Sequence, residues 1–185
     1  KHQMLLLAAD MEGHPDNAAP SLFGGLVIAT QLKGDVAVQS YHSPKPLMGV
    51  FLRPQIKIST HHSRRALPGE ISLRKAVFNI SRASQLAAAF VSGRLDEVGF
   101  AFEDQLHQPT RSRQMPYLYN AIRAAQAAGA YGAFLSGSGP SVGALCSPEK
   151  SASVEEAFGE IQKEFRLTGE ILTLPLDEQG VQVYP

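Results

Sequence analysis

One cysteine is too few for a disulfide within the chain. Cys146 is the only thiol among 185 residues, which fits a reducing cytosol. It follows the apolar run Val142 to Leu145 and is expected to be a buried, inert thiol. Charge of one sign is not in excess either: 17 basic and 17 acidic residues cancel to a formal net charge of zero. Such a surface offers no electrostatic reason to bind nucleic acid or an anionic membrane. Long hydrophobic runs are missing too. The longest near the start, Met4 to Ala9, is too short to span a bilayer and lacks the layout of a signal peptide. There is no initiator methionine, and Lys1-His2-Gln3 reads as the interior of a longer sequence. What is present is 44% hydrophobic and 18% charged, the composition of a globular protein with chain enough for one domain plus a fragment.

Apolar spacing outlines the elements. Leu5 to Met11 reads as the end of a helix, broken at Gly13 and Pro15, with Asp16 or Asn17 suited to cap a short helix that follows. Leu26 to Ala29 reads as a buried strand after Gly24-Gly25. Beyond Pro44, Pro46 and Gly49, the runs Val50 to Leu52 and Ile56 to Ile58 read as strand, which places a domain boundary near residues 40–50. Leu73, Ala76, Val77, Ile80, Ala83, Leu86, Ala87, Phe90 and Val91 recur at helical spacing and predict one core-facing stripe. Leu95 to Leu106 predicts a second helix, and Leu118, Ile122 and Ala125 a third that ends at Gly129. Ala133 to Leu135 and Val142 to Leu145 predict strands, Val154 to Phe165 an amphipathic helix and Ile171 to Leu174 a closing strand. Strand, helices, strand, strand, helix, strand fits helices on one face of an antiparallel sheet: an α+β fold of the ferredoxin-like, split βαβ kind.

Polar residues concentrate in a few turns. Glu12-Gly13-His14-Pro15-Asp16-Asn17 gathers an imidazole, two carboxylates and a carboxamide where they could face a small polar ligand. Pro, Asp and Asn are equally the ordinary residues of turns and caps. Ser136-Gly137-Ser138-Gly139-Pro140-Ser141 lies between two predicted strands. Its glycines would let backbone approach a ligand and its N–H groups could receive an anion, or it is simply a glycine-rich turn. It is neither a P-loop nor a dinucleotide fingerprint. Two further turns, Ser59-Thr60-His61-His62-Ser63-Arg64-Arg65 and His107-Gln108-Pro109-Thr110-Arg111, carry arginines suited to a carboxylate or phosphate. Adjacent histidines point to opposite faces of a strand, so His61-His62 is not read as a metal site.

Taken together, these segments resemble homoserine kinases of the GHMP small-molecule kinase superfamily. The likeness lies in Glu12 to Asn17 followed by Ala19-Pro20 and Gly24-Gly25, and in Ser59-Thr60 with Arg64 and Leu67-Pro68. It continues through Asn79 with Arg82, His107-Gln108-Pro109 with Arg111, and the Ser136 to Ser141 loop. The resemblance implies ATP-dependent phosphorylation of the hydroxyl of L-homoserine, with ATP and magnesium as cofactors, in the cytoplasm. It implies that Asn17 and Thr60 lie at the reaction centre and that His14, Asp16, Arg64 and Arg111 hold the substrate, both arginines taking its carboxylate. Ser136, Gly137, Ser138 and Gly139 would support the phosphate site. The magnesium ligand would lie upstream of, or within, the Asp10–Glu12 region. Residues 1–45 would be the tail end of the family's amino-terminal domain and residues 46–185 its carboxyl-terminal domain, with a homodimer as a possible assembly.

Two departures from the family pattern stand out. Thr110 occupies a position where an aromatic residue is usual. The nucleotide loop, of the form Pro-x-x-x-Gly-Leu-Gly-Ser-Ser, is absent from these residues, so this stretch alone is expected to be inactive. Two other readings remain open at this point: a GHMP kinase for mevalonate, a phosphorylated intermediate or a sugar, and a non-catalytic interaction module that keeps the fold.

Overall fold

The computed structural model describes residues 1–56 and 67–182. Contacts divide the chain into two compact units, Lys1–Lys45 with the stretch that begins at Leu176, and Pro46–Pro175.

In the first unit, helix α1 (His2–Glu12) stops at Gly13, whose φ of 76° is the left-handed conformation that ends many helices. The short helix α2 (Ala18–Phe23) leads into the antiparallel hairpin β1 (Leu26–Leu32) and β2 (Asp35–Tyr41). Leu5, Ala9, Ala19, Leu22 and Val36 form its small core. Close backbone approach explains Gly24: a Cβ there would stand 2.6 Å from the amide nitrogens of Gln179 and Gly180. The chain after Leu176 returns to this unit, where Gly25 donates to the Asp177 carbonyl at 2.7 Å and Glu178 pairs with His42 at 2.9 Å. Strand β2 is not among the elements the sequence outlines, although Val36 and Val38 sit two apart between Asp35 and Gln39 after a Lys33-Gly34 turn.

The second unit is a four-stranded antiparallel sheet in the order β4 (Gly132–Leu135), β5 (Val142–Cys146), β3 (Met48–Pro54), β6 (Gly169–Pro175). Counted within the unit and from the other edge, this is fourth, first, third, second, the ferredoxin-like arrangement expected. Helices α5 (Leu118–Ala127) and α6 (Ser151–Glu164) contribute Leu118, Ala121, Ala125, Val154, Phe158 and Ile161 to its core, against Val50, Leu52, Val142 and Ala144 of the sheet. Cys146 is fully buried in the same core, and burial raises its thiol pKa.

Two expectations fail here. Leu95 to Leu106 is not a helix; it forms two short 3₁₀ turns, Leu95–Glu97 and Gly99–Phe102, separated by Val98, whose φ of −127° is not helical. Nor does the stripe on α3 (Leu73–Ser92) all face a core. Only Ala89 and Phe90 are buried, while Leu73 is 79% and Ile80 66% exposed. The helix packs on the two 3₁₀ turns, and just beyond them Glu103 pairs with its Arg82 and Asp104 bonds its Asn79. Of the Ile56 to Ile58 strand, Ile56 lies outside β3, and residues 57 and 58 fall outside the described residues.

Candidate active site

Within the first unit, the turn between α1 and α2 keeps His14 and Asp16 together. His14 Nδ1 pairs with Asp16 Oδ1. Asn17 occupies the N-cap position of α2, yet its side chain makes no capping hydrogen bond. The helix start is secured by main chain, with Ala19 donating to the Pro15 carbonyl at 2.8 Å. The exposed Asn17 carboxamide is therefore not engaged in the task that its position would suggest.

Within the second unit, the Ser136–Ser141 loop is a tight turn. Ser136 donates to the Ser141 carbonyl at 2.9 Å and Gly139 to the Ser136 carbonyl at 3.0 Å, which leaves the N–H groups of Gly137 and Ser138 outside the turn's own bonding. Gly137 (φ 56°) and Gly139 (φ 83°) are both left-handed, and the Gly139–Pro140 peptide is cis. The Tyr117 hydroxyl, from a residue 1% exposed, donates to the Pro140 carbonyl at 2.8 Å and anchors the loop from below. Burial pushes the Tyr117 phenol pKa up to about 12.

Arg111 ends the one-turn helix α4 (Gln108–Arg111) and donates through Nη1 to the Gly137 carbonyl at 2.9 Å, with His107 Nδ1 at 3.3 Å. The arginine turn and the glycine-serine loop, 26 residues apart in sequence, thus meet. The His107 pKa lies below its ordinary value: burial lowers it most, and the Arg111 charge adds to this against the opposing pull of Asp104. The neutral ring can accept from the guanidinium, whereas a protonated one would repel it. Thr60 and Arg64, together with His61, His62 and Arg65, lie outside the described residues. Among the described residues no group of three or more His, Cys, Asp or Glu side chains is placed to hold a metal ion.

Residues 86–165 match the family described as GHMP kinases C terminal. The chain is 36% identical over 183 residues to a homoserine kinase of Desulfitobacterium hafniense, covering 99% of this chain and 62% of that one. Residues 86–165 belong to the GHMP kinase carboxyl-terminal family. A homoserine kinase of Moorella thermoacetica is 41% identical over 159 residues, covering 84% of this chain and 54% of its own length. The crystal structure of homoserine kinase from Cytophaga hutchinsonii superposes with a TM-score of 0.84 at 28% identity, covering 90% of this chain and 53% of that one. The chain thus spans between half and two thirds of the length of these two curated relatives. No described helix is long and apolar enough to cross a membrane.

The sequence alone did not single out Asp104 or Tyr117. An aspartate three residues before His107-Gln108-Pro109 is a turn-capping signal that could have marked the first. Nothing local marks the second, because its partner Pro140 is 23 residues away.

Proposed function

We propose that this chain serves the ATP-dependent phosphorylation of L-homoserine at its side-chain hydroxyl, yielding O-phospho-L-homoserine and ADP on the way to threonine in the cytoplasm. The observation that carries the reading is the likeness to a homoserine kinase over 99% of the chain. The hydrogen bond that joins Arg111 to the Ser136–Gly139 loop supports it. In this reading residues 1–45 end the amino-terminal GHMP domain and residues 46–185 form the carboxyl-terminal one.

Each polar group then has a chemical task. Arg111 and Arg64 receive the substrate carboxylate, which suits guanidinium groups around one anion. His14 and Asp16 hold the remainder of the amino acid, while Asn17 and Thr60 lie beside the accepting hydroxyl. Asn17 suits this because its carboxamide is not tied up as a cap. Gly137 and Ser138, whose N–H groups the turn itself does not use, suit a phosphate. In the transfer, the hydroxyl oxygen bonds to the terminal phosphorus of ATP, ADP leaves and the hydroxyl proton is lost. Such chemistry asks chiefly for positioning and charge stabilisation. The described residues offer magnesium no cluster of ligands, and no step is assigned to it.

The test is to give ATP, magnesium and L-homoserine to the protein as its source produces it. ADP release and the new phosphate ester are followed by coupled assay and phosphorus NMR. Homoserine-dependent turnover is expected. Turnover with mevalonate or a sugar but not with homoserine would instead make it a kinase of another substrate. No turnover with any of them would leave a non-catalytic module.

A further inference from the structure

The buried carboxylate of Asp104 lies outside the roles given above. Its side chain is only 8% exposed, and it accepts three hydrogen bonds. Oδ2 takes the N–H groups of His107 at 2.8 Å and Gln108 at 2.6 Å, and Oδ1 takes Asn79 Nδ2 at 2.6 Å. Asn79 in turn accepts from the Gln105 N–H through Oδ1 at 3.0 Å. Burial pushes the Asp104 pKa up, but the bonds from Gln108 and Asn79, with the nearby His107, outweigh it and hold the pKa below the usual value, so the group is charged at neutral pH.

These bonds have one mechanical effect. A single helical turn such as α4 does not hold itself together, since its first N–H groups have no partners within it. Asp104 supplies those partners, and Asn79 ties Asp104 to the long helix α3. On the far side Gln108, 3% exposed, accepts the Leu135 N–H at 2.9 Å, one residue before the Ser136 loop. Arg111 leaves the end of this braced turn and reaches Gly137. We propose that Asp104, with Asn79, is a positioning residue that fixes the α4 turn and so aims Arg111 at the substrate carboxylate. This rests on the substrate-binding role given to Arg111 above.

Hydrogen-bond polarity supplies the test. In Asp104→Asn, one oxygen becomes an NH₂ group that faces the NH₂ of Asn79, or else the N–H groups of His107 and Gln108. Flipping Asn79 to accept it would turn its own NH₂ against the Gln105 N–H. The exchange Asn79→Asp with Asp104→Asn restores a donor–acceptor match at every one of these contacts.

In the full-length enzyme, Asp104→Asn is expected to raise KM for homoserine about tenfold or more, with KM for ATP within about twofold. The double exchange should recover most of that loss. In an Arg111→Ala background, Asp104→Asn should add less than about twofold, because the residue through which it acts has gone. A homoserine KM unmoved by Asp104→Asn overturns the proposal, as does a double exchange no better than the single variant, or a full additional loss in Arg111→Ala. A wild-type enzyme inactive on homoserine would sink the functional reading instead. Nitrogen-15 NMR then decides the brace: Asp104→Asn should move the Arg111 Nε–H and Gly137 amide signals, and the double exchange should return them. Signals that stay put in Asp104→Asn refute it.

Discussion

Tyr117→Phe removes one oxygen atom from the core and leaves the ring in place. The ring remains against Phe165, with centroids 6.4 Å apart and edge to face. What is lost is the hydroxyl that donates to the Pro140 carbonyl at 2.8 Å. Losing a hydrogen bond to a part-buried acceptor costs about 1 kcal/mol, which for a unit of this size is a fall in Tm of about 3–5 °C. The same hydroxyl sets a pH dependence. Because the folded phenol titrates at about 12, above the ordinary value of about 10, its contribution is complete below the unfolded value. It is lost as pH rises toward the folded value. One unit above the unfolded value, the wild-type advantage should shrink by about 1.4 kcal/mol. Urea unfolding of both proteins at pH 7 and pH 11, compared as a difference so that other titrating groups cancel, reads both effects. An advantage that stays constant between the two pH values would refute the reasoning, and so would a variant as stable as wild type at pH 7.

Gly139→Ala should destabilise more than Gly137→Ala in urea unfolding. Both positions are left-handed, costing about 1–2 kcal/mol, but a Cβ at Gly139 would also stand 2.7 Å from Met115 Sδ while that at Gly137 meets nothing. Phe90→Ala should cost about 3–5 kcal/mol, whereas Ile80→Gln should stay within about 0.5 kcal/mol; equal losses would mean that α3 buries its whole stripe. In activity assays on the full-length enzyme, Arg111→Ala should weaken homoserine binding more than ATP binding, and an equal effect on both would remove it from the carboxylate. Below the ordinary imidazole range the wild type should lose stability as pH falls through the depressed His107 pKa, because the unfolded chain takes up the proton first. A His107→Gln variant should lack that slope in a pH series of denaturation curves.

Much of the second unit was legible because its elements repeat simple periods. The apolar runs at Val50 to Leu52 and Val142 to Leu145 are strands, and Leu118, Ile122 and Ala125 mark one side of α5. Helical spacing fails on α3 for a physical reason: it says which residues share a face, but not whether anything covers that face, and Leu73 and Ile80 are left exposed. Between Leu95 and Leu106 the apolar count is right for helix, but the backbone breaks at Val98, and from Asp104 on it is held by side-chain bonds to Asn79, 25 residues away. Composition singled out the glycine-serine loop. Its ties to Arg111 and Tyr117 depend on partners 26 and 23 residues distant, which no local pattern encodes.

The order of strands in the sheet also dictates an order in time. The hairpin β4–β5 closes over a handful of residues, so it and the loop at its tip can form early, within the reach of local chain motion. Strand β3 is the first of its unit to be synthesised but sits in the middle of the sheet, with Leu52 opposite both Val142 and Ile171. Until the last strand emerges, β3 has an unpaired flank, and the loop-closure entropy for that pairing is the largest in the unit. Refolding followed by pulsed hydrogen exchange should therefore protect the Phe134 and Gly143 amides before those of Leu172 and Leu174. A chain interrupted before Gly169 would leave the apolar centre of the sheet open to association with other molecules.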